Sequence, residues 1–348
     1  MKDEISIGIA GSKFAAGFHA ECWEKTPGTR VSAVAARDAA TREAFRQKHT
    51  IARSYEDVGR MLTDKDIDLI DICTPNYLHA EMAVAAMKAG KDVLCEKPLA
   101  TTVADGEAVV RAQKETGRRL FYAEDWIFAP ALVRARAIIA EGGIGRPVYL
   151  RAKESHNGSH SPYAQTIKLC GGGSVMHLGV HPIGFFQHLL GTPKAVVGRC
   201  SGGGEANLVH HKLEGEDWGM GILTYADGTQ AVVEGNYVTA GGMDDTFEAY
   251  GSEGVLKVQL TFGSPLSVYS RKGFAYAMEK TDFTHGWTRP AVDENESLGY
   301  RTELAHVAAC LQGKAQQEKG TFATDGLQVL KVIDAIYRSN REGRAVTL

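Results

Sequence analysis

This 348-residue chain is predicted to be an α/β protein of two domains. The first holds a parallel sheet covered by helices on both faces. The second is an α/β domain built on an open, mostly antiparallel sheet. Three observations predict this. Residues 1–123 alternate short apolar runs with helix-period stretches. A glycine turn joins the first run to the first helix. Beyond about residue 124, consecutive strands joined by tight turns take over. The length also suits two cores rather than one.

The apolar runs of the first half are "ISIGIA", "RVSAVAA", "IDLIDIC", "KDVLCE" and "RRLFYAE". Helical stretches such as "FAAGFHAECWEK" and "YLHAEMAVAAMKAG" lie between them. Gly90 and Gly117 stand where two of these helices would stop. Strands that alternate with helices pair in parallel and are buried on both faces. The domain boundary is expected at 123/124. A helix over 129–141 and the strand "RPVYLRAKESH" open the second half. A Gly-rich turn and a helix carrying His177 and His181 follow. If that segment is one helix, the two imidazoles share a face. Residues 194–270 read mostly as strands, with hairpin turns at Asp227–Gly228 and at "GSEG", 251–254. Residues 271–297 are polar and aromatic without period and are expected to form a long loop or lid. Helices over about 299–312 and 323–341 close the chain and can pack back on the first domain.

Composition excludes several functions. Apolar residues make up 44% and charged residues 23%, with a formal net charge of −3. No basic field is available for nucleic acid or an anionic membrane. No apolar run has the length of a membrane span. The strand pattern begins at once, without a secretory signal. Six cysteines without C-x-x-C spacing read as reduced thiols of a cytoplasmic protein.

"IGIAGSKFAAGFH" reads as strand, tight turn and helix, the opening of a Rossmann domain. Such a turn uses one glycine to bend, a second to let backbone approach a pyrophosphate, and a small third residue for packing. Gly11 holds the first place and Ala16 the third. Lys13 holds the second and offers an ammonium to a phosphate, with Ser12 and Phe14 beside it. Where an acid would read the adenine ribose stands Ala36, followed by Arg37 and Asp38. An arginine there suits a 2′-phosphate, so NADP(H) is favoured over NAD(H). The other reading makes Arg37 a solvated charge and Asp38 a helix N-cap.

"CTPNYLH" (73–79) and "CEKPLA" (95–100) sit at carboxyl ends of strands, where open α/β sheets bind ligands. A third element, "GGGSVMHLGVH", spans residues 171–181. In this order they resemble the glucose–fructose oxidoreductase/inositol dehydrogenase (Gfo/Idh/MocA) family across essentially the whole chain. The resemblance implies that Thr74, Pro75, Asn76 and His79 contact the cofactor, with Glu96 nearby. It implies that Lys97 binds the reacting hydroxyl and that the peptide before Pro98 is often cis. It also implies that His181 is the base. The family usually carries an acid four residues before that histidine; here the place holds His177.

The chemistry agrees. Oxidation of a secondary alcohol requires a base within reach of the hydroxyl and a cation for the developing alkoxide. His177 keeps three readings: a contact to substrate, a metal ligand, or a structural histidine. The metal reading, the lesser one, would join His177 and His181 with His156 and His160 of "ESHNGSH". Glu124, Trp126, His156, His160 and Tyr163 are the other substrate candidates. Trp126 is either a platform for a sugar face or a core residue. Trp287 and Tyr300 are weaker candidates of the same kind. The remaining histidines, among them His49, His188 and His306, read as surface or satisfied core residues.

The expected activity is NAD(P)-dependent hydride transfer at a secondary alcohol or ketone of a sugar, sugar derivative or cyclitol. One alternative cleaves a glycoside by transient oxidation with tightly held NAD(H). Another is a non-catalytic dinucleotide-sensing regulator. The apolar open sheet face predicts a homodimer or homotetramer.

Overall fold

The computed structural model describes residues 4–159, 161–261, 268–270, 286–288 and 293–348. It divides into two compact units, 1–128 with 299–327, and 129–298 with 328–348. His160 and most of the 271–297 segment lie outside the described residues.

The first unit is a six-stranded, all-parallel sheet in the order β3-β2-β1-β4-β5-β6. Its strands are β1 (Ile5–Ala10), β2 (Thr29–Ala35), β3 (Arg53–Tyr55), β4 (Leu69–Ile72), β5 (Asp92–Cys95) and β6 (Leu120–Tyr122). All six residues of β1 are buried, as expected of a central strand covered on both faces. The three-residue edge strand β3, "RSY", has no apolar run and so left no mark on the hydrophobic pattern. The helices are α1 (Phe14–Glu24), α2 (Ala39–Lys48), α3 (Val58–Leu62), α4 (His79–Lys88) and α5 (Val103–Thr116). Gly117 closes α5 in the left-handed region at φ 65°, as the sequence predicts.

In the second unit, α6 (Pro130–Ala140) begins on a proline suited to the first helical turn. The seven-stranded sheet runs β12-β11-β7-β10-β9-β8-β15. Its strands are β7 (Pro147–Ser155), β8 (Ala195–Cys200), β9 (Trp218–Thr224), β10 (Gln230–Asn236), β11 (Thr246–Gly251), β12 (Val255–Gln259) and β15 (Val346–Thr347). Only β7 and β10 pair in parallel; the rest is antiparallel. Asp227–Gly228 lies in the β9–β10 turn, as read from sequence. Residues 268–270 (β13) pair with 286–288 (β14) in a small ribbon.

One sheet face is covered. There lie α8 (Ser174–His177) and α9 (Val180–Leu190), which follow the short α7 (Ile167–Cys170), and, after α10 (Glu294–Ser297) and α11 (Tyr300–Leu311), the long α12 (Ala323–Glu342). The approach is backbone on backbone: a Cβ on Gly198 would stand 2.3 Å from the Ile336 carbonyl oxygen. On the other face a cross-strand row runs Val197–Ile222–Val232. Val197 and Ile222 are exposed there, as are Tyr149 and Val255.

Candidate active site

The first unit gathers a nucleotide-type edge at the carboxyl ends of its strands. Gly11 ends β1 at φ 119°, and a Cβ there would meet the Cys73 carbonyl oxygen at 2.5 Å. Only glycine allows the β1–α1 turn to pass that close to the end of β4. Ala16 is fully buried in the core below. The helices α2, α3 and α5 each begin on a side-chain cap, from Asp38, Asp57 and Thr102. Two helices of the unit begin with no side-chain cap: α1, after Lys13, and α4, after Leu78. An uncapped helix start at a glycine turn leaves amide donors and a positive dipole end for a phosphate. The residues present therefore fit a dinucleotide.

Phe14 is partly exposed and sets its ring edge-on to Phe18. Ser12 Oγ lies 3.3 Å from Thr41 Oγ1. Asp38 accepts the Thr41 N–H at 2.7 Å, and that bond holds its carboxyl below the ordinary range. Arg37 donates to the Tyr77 hydroxyl at 3.4 Å.

The 73–79 and 95–98 loops are tied together by His79. Its ring is buried, with Nδ1 at 2.7 Å from the Pro98 carbonyl and Nε2 at 2.7 Å from the Thr74 carbonyl. Burial holds its basicity below that of free imidazole. Its ring thus serves as a strut between the two loops. Pro75 introduces a short 3-10 turn over Asn76–Leu78 that leads into α4. The Lys97–Pro98 peptide is cis, as the resemblance implies. Glu96 is buried and its Oε2 accepts the Lys97 backbone N–H at 3.0 Å.

Glu124 and Trp126 follow β6 and are almost wholly buried. Trp126 therefore has the burial of a core residue. Tyr300 stacks on Phe18, with ring centroids 5.4 Å apart. Trp287, on β14, is 72% exposed.

In the second unit the segment 174–190 is not one helix. It breaks at Leu178–Gly179 into α8 and α9, so His177 and His181 do not share a continuous helical face. The reason is packing: a Cβ on Gly235 of β10 would meet Gly179 N at 2.5 Å and the Ser174 carbonyl oxygen at 2.7 Å. The chain bends to lie on the strand's backbone. The triple glycine before it has a similar cause. A Cβ on Gly172 would meet the Tyr337 hydroxyl at 2.2 Å, and one on Gly173 the Glu216 carbonyl oxygen at 2.0 Å. Buried Glu216 then accepts the Gly173 and Val175 amides and the Tyr337 hydroxyl at 2.9–3.0 Å.

Gly235 is in register with Glu154 of β7. The bend over Gly235 accordingly sets His181 beside Glu154, with Nε2 3.6 Å from Oε2. Sequence reasoning missed Glu154. The available signal was strand alternation: Leu150, Ala152 and Glu154 all face the core, and only the last is charged. His177 Nδ1 shares a 2.6 Å hydrogen bond with the Tyr237 hydroxyl, a second residue not singled out beforehand. Burial keeps that phenol protonated, far above its ordinary range. His156 is buried, accepts the Gly158 N–H at Nδ1 and lies 5.4 Å from the Tyr237 ring. His210 donates from Nε2 to the Tyr237 carbonyl at 2.8 Å. Tyr163 is the second residue of a 3-10 turn over Pro162–Gln165. His49 and His306 have partners in Glu24 and the Glu318 amide, and His188 in Arg136.

No described helix is long and apolar enough to cross a membrane. All six cysteines are free thiols.

Residues 5–124 match the model of an oxidoreductase family with an NAD-binding Rossmann fold (GFO_IDH_MocA). Residues 136–348 match that family's C-terminal alpha/beta domain. A D-apiose dehydrogenase of Paraburkholderia graminis is 26% identical over 350 residues, which cover 98% of this chain and 88% of the relative. A levoglucosan dehydrogenase of Pseudarthrobacter phenanthrenivorans is 30% identical over 324 residues, covering 82% of this chain and 81% of the relative. The crystal structure of GenD2 from gentamicin A biosynthesis, in complex with NAD, has a TM-score of 0.89 at 24% identity and covers 99% of this chain and 97% of that one. That last likeness is one of fold.

Proposed function

The chain belongs to the Gfo/Idh/MocA oxidoreductase family, and on that premise we propose that it moves a hydride between a nicotinamide dinucleotide and a secondary alcohol or ketone of a sugar, sugar derivative or cyclitol. The carbohydrate class is supported by the two dehydrogenase relatives, whose names specify D-apiose and levoglucosan. The observation that carries the chemistry is the buried His181–Glu154 pair. An imidazole facing a carboxylate in a site shielded from water is suited to take a proton and hold the resulting charge.

When bound, the dinucleotide supplies the hydride acceptor or donor. The turn at Gly11–Phe14, Ala16 beneath it, and Thr74, Pro75 and Asn76 hold it. Glu96 and His79 act from behind by keeping the 73–79 and 95–98 loops in place. In the oxidative direction His181 takes the hydroxyl proton, and the Lys97 ammonium stabilises the oxygen as the carbon–hydrogen pair leaves. Glu154 takes the part of the acid that His177 displaces. His177, fixed at Nδ1 by Tyr237, presents Nε2 to a substrate hydroxyl, with His156 beside it.

Preference for NADP(H) is part of this reading. Arg37, Lys13 and the Ser12–Thr41 hydroxyl pair are the groups suited to a 2′-phosphate, while Asp38 is engaged as an N-cap. A second copy of the chain covers the open sheet face along Val197, Ile222 and Val232. The deciding experiment is a panel of sugars, cyclitols and their ketones assayed with both cofactors. Turnover of a carbohydrate is expected; no reduction or oxidation across the panel would refute the proposal.

A further inference from the structure

We propose that His19, held as an imidazolium between Asp71 and Glu96, is a positioning residue for Lys97. This rests on the reading of Lys97 as the group that meets the reacting hydroxyl.

The chain of contacts is continuous. His19 Nδ1 is 2.9 Å from both carboxylate oxygens of Asp71. Its Nε2 is 2.9 Å from Glu96 Oε1. The other oxygen of Glu96 accepts the Lys97 backbone N–H. Trp23 Nε1 donates to Asp71 Oδ2 at 2.7 Å, and Cys73 Sγ to Oδ1 at 3.4 Å. His19 and Asp71 are wholly buried, and Glu96 nearly so. An ionised carboxylate only accepts, so an imidazole between two of them satisfies both only when both its nitrogens carry protons. Burial works against that charge, yet the field and hydrogen bond of Asp71 raise His19 well above its ordinary value. The other titratable groups near it are Cys22 and Cys73, whose thiols burial keeps protonated, Glu303, and Tyr300, whose ring lies edge-on with centroids 6.0 Å apart. Glu96 is faced by Cys95, Tyr122, His79 and Glu303.

The consequence is mechanical as well as electrostatic. With one oxygen pinned by His19, Glu96 keeps a single orientation, and the turn that carries Lys97 is fixed from below. The imidazolium also cancels one of the two buried negative charges it joins, Asp71 and Glu96, the second of which accepts the Lys97 backbone N–H.

Two measurements on the whole chain need no substrate. The first is the nitrogen-15 NMR spectrum of the His19 ring at pH 7.5 in the unaltered protein. Two protonated nitrogens are expected; a neutral ring overturns the proposal. The second is labelling of Lys97 by trinitrobenzenesulfonate, read by peptide mass spectrometry against exposed Lys88. In His19→Gln, two uncancelled carboxylates favour the ammonium, so labelling of Lys97 should slow about tenfold at fixed pH. Labelling unchanged relative to Lys88 overturns it.

A third measurement uses the fastest sugar of the panel. Asp71→Asn removes one carboxylate and returns His19 toward ordinary basicity. Its kcat should then fall as pH rises through the neutral range, a limb absent from both the unaltered enzyme and His19→Gln. A profile parallel to the unaltered enzyme would show a merely structural role. Loss of turnover in Lys97→Ala with both substrate-free results negative would break this proposal alone. Full turnover in Lys97→Ala would break the reading beneath it.

Discussion

Glu154 Oε2 stands 3.6 Å from His181 Nε2, and both side chains are buried. The carboxylate that sequence comparison looks for on the histidine's own helix arrives instead from β7, across the bend that Gly179 and Gly235 permit. A change of Glu154→Gln keeps shape and removes charge. It should lower kcat about 10²-fold with little effect on dinucleotide affinity. Adding His177→Asp to that variant restores an acid at the usual position and should recover part of the rate. Steady-state kinetics of the single and double variants check both outcomes.

Lys97→Ala removes the cation proposed to meet the reacting oxygen. Turnover should drop by about 10³-fold or more. Binding of the dinucleotide, followed by quenching of protein fluorescence, should remain.

Arg37→Ala separates the two cofactors. Affinity for NADPH should weaken about tenfold, while that for NADH stays within a factor of about two. Fluorescence titration of both cofactors reads this. Tighter binding of NADH by the unaltered protein would sink the NADP(H) preference.

Glu303, on α11, is 1% exposed and neither of its oxygens has a hydrogen-bond partner among the described residues. Burial, with the charge of Asp125 next, raises its carboxyl well above the ordinary 4.5. The native state therefore keeps a proton that the unfolded chain releases. Below about pH 4.5 both states hold it and nothing is lost. As pH rises beyond that, the unfolded state gains and stability falls. Glu303→Gln should accordingly raise the melting temperature at pH 7.5, by an amount that shrinks toward pH 5. Thermal melts across that range test the sign.

The row Val197–Ile222–Val232 presents apolar side chains on the uncovered sheet face. Ile222→Asp should shift the solution mass toward a single chain, measured by light scattering, with folding intact. An unaltered protein that is already monomeric would refute the proposed self-association.

Much of this molecule is legible along the chain, because local patterns carry it. Five of the six parallel strands are apolar runs of their own, and only "RSY" is too short and polar to register. Gly11 and Ala16 report a strand–turn–helix geometry that backbone sterics impose within a few residues. "EKP" and "TPN" mark the strand ends where ligands gather. His177 and His181 were visible as residues, though not as members of separate helices. Their separation depends on Gly235, more than fifty residues away, which has no periodic relation to them.

The sequence alone determined the fold class and the family, since each rests on spacing within one element or one turn. Tertiary structure decided which charges meet. Asp71 and His19 read as single polar residues inside apolar segments, and Glu154 as the end of a strand. A charge's partner is set by three-dimensional proximity, which strand register and helix packing create. That is why the buried Asp71–His19–Glu96 relay and the Glu154–His181 pair emerge only once the sheets are assembled.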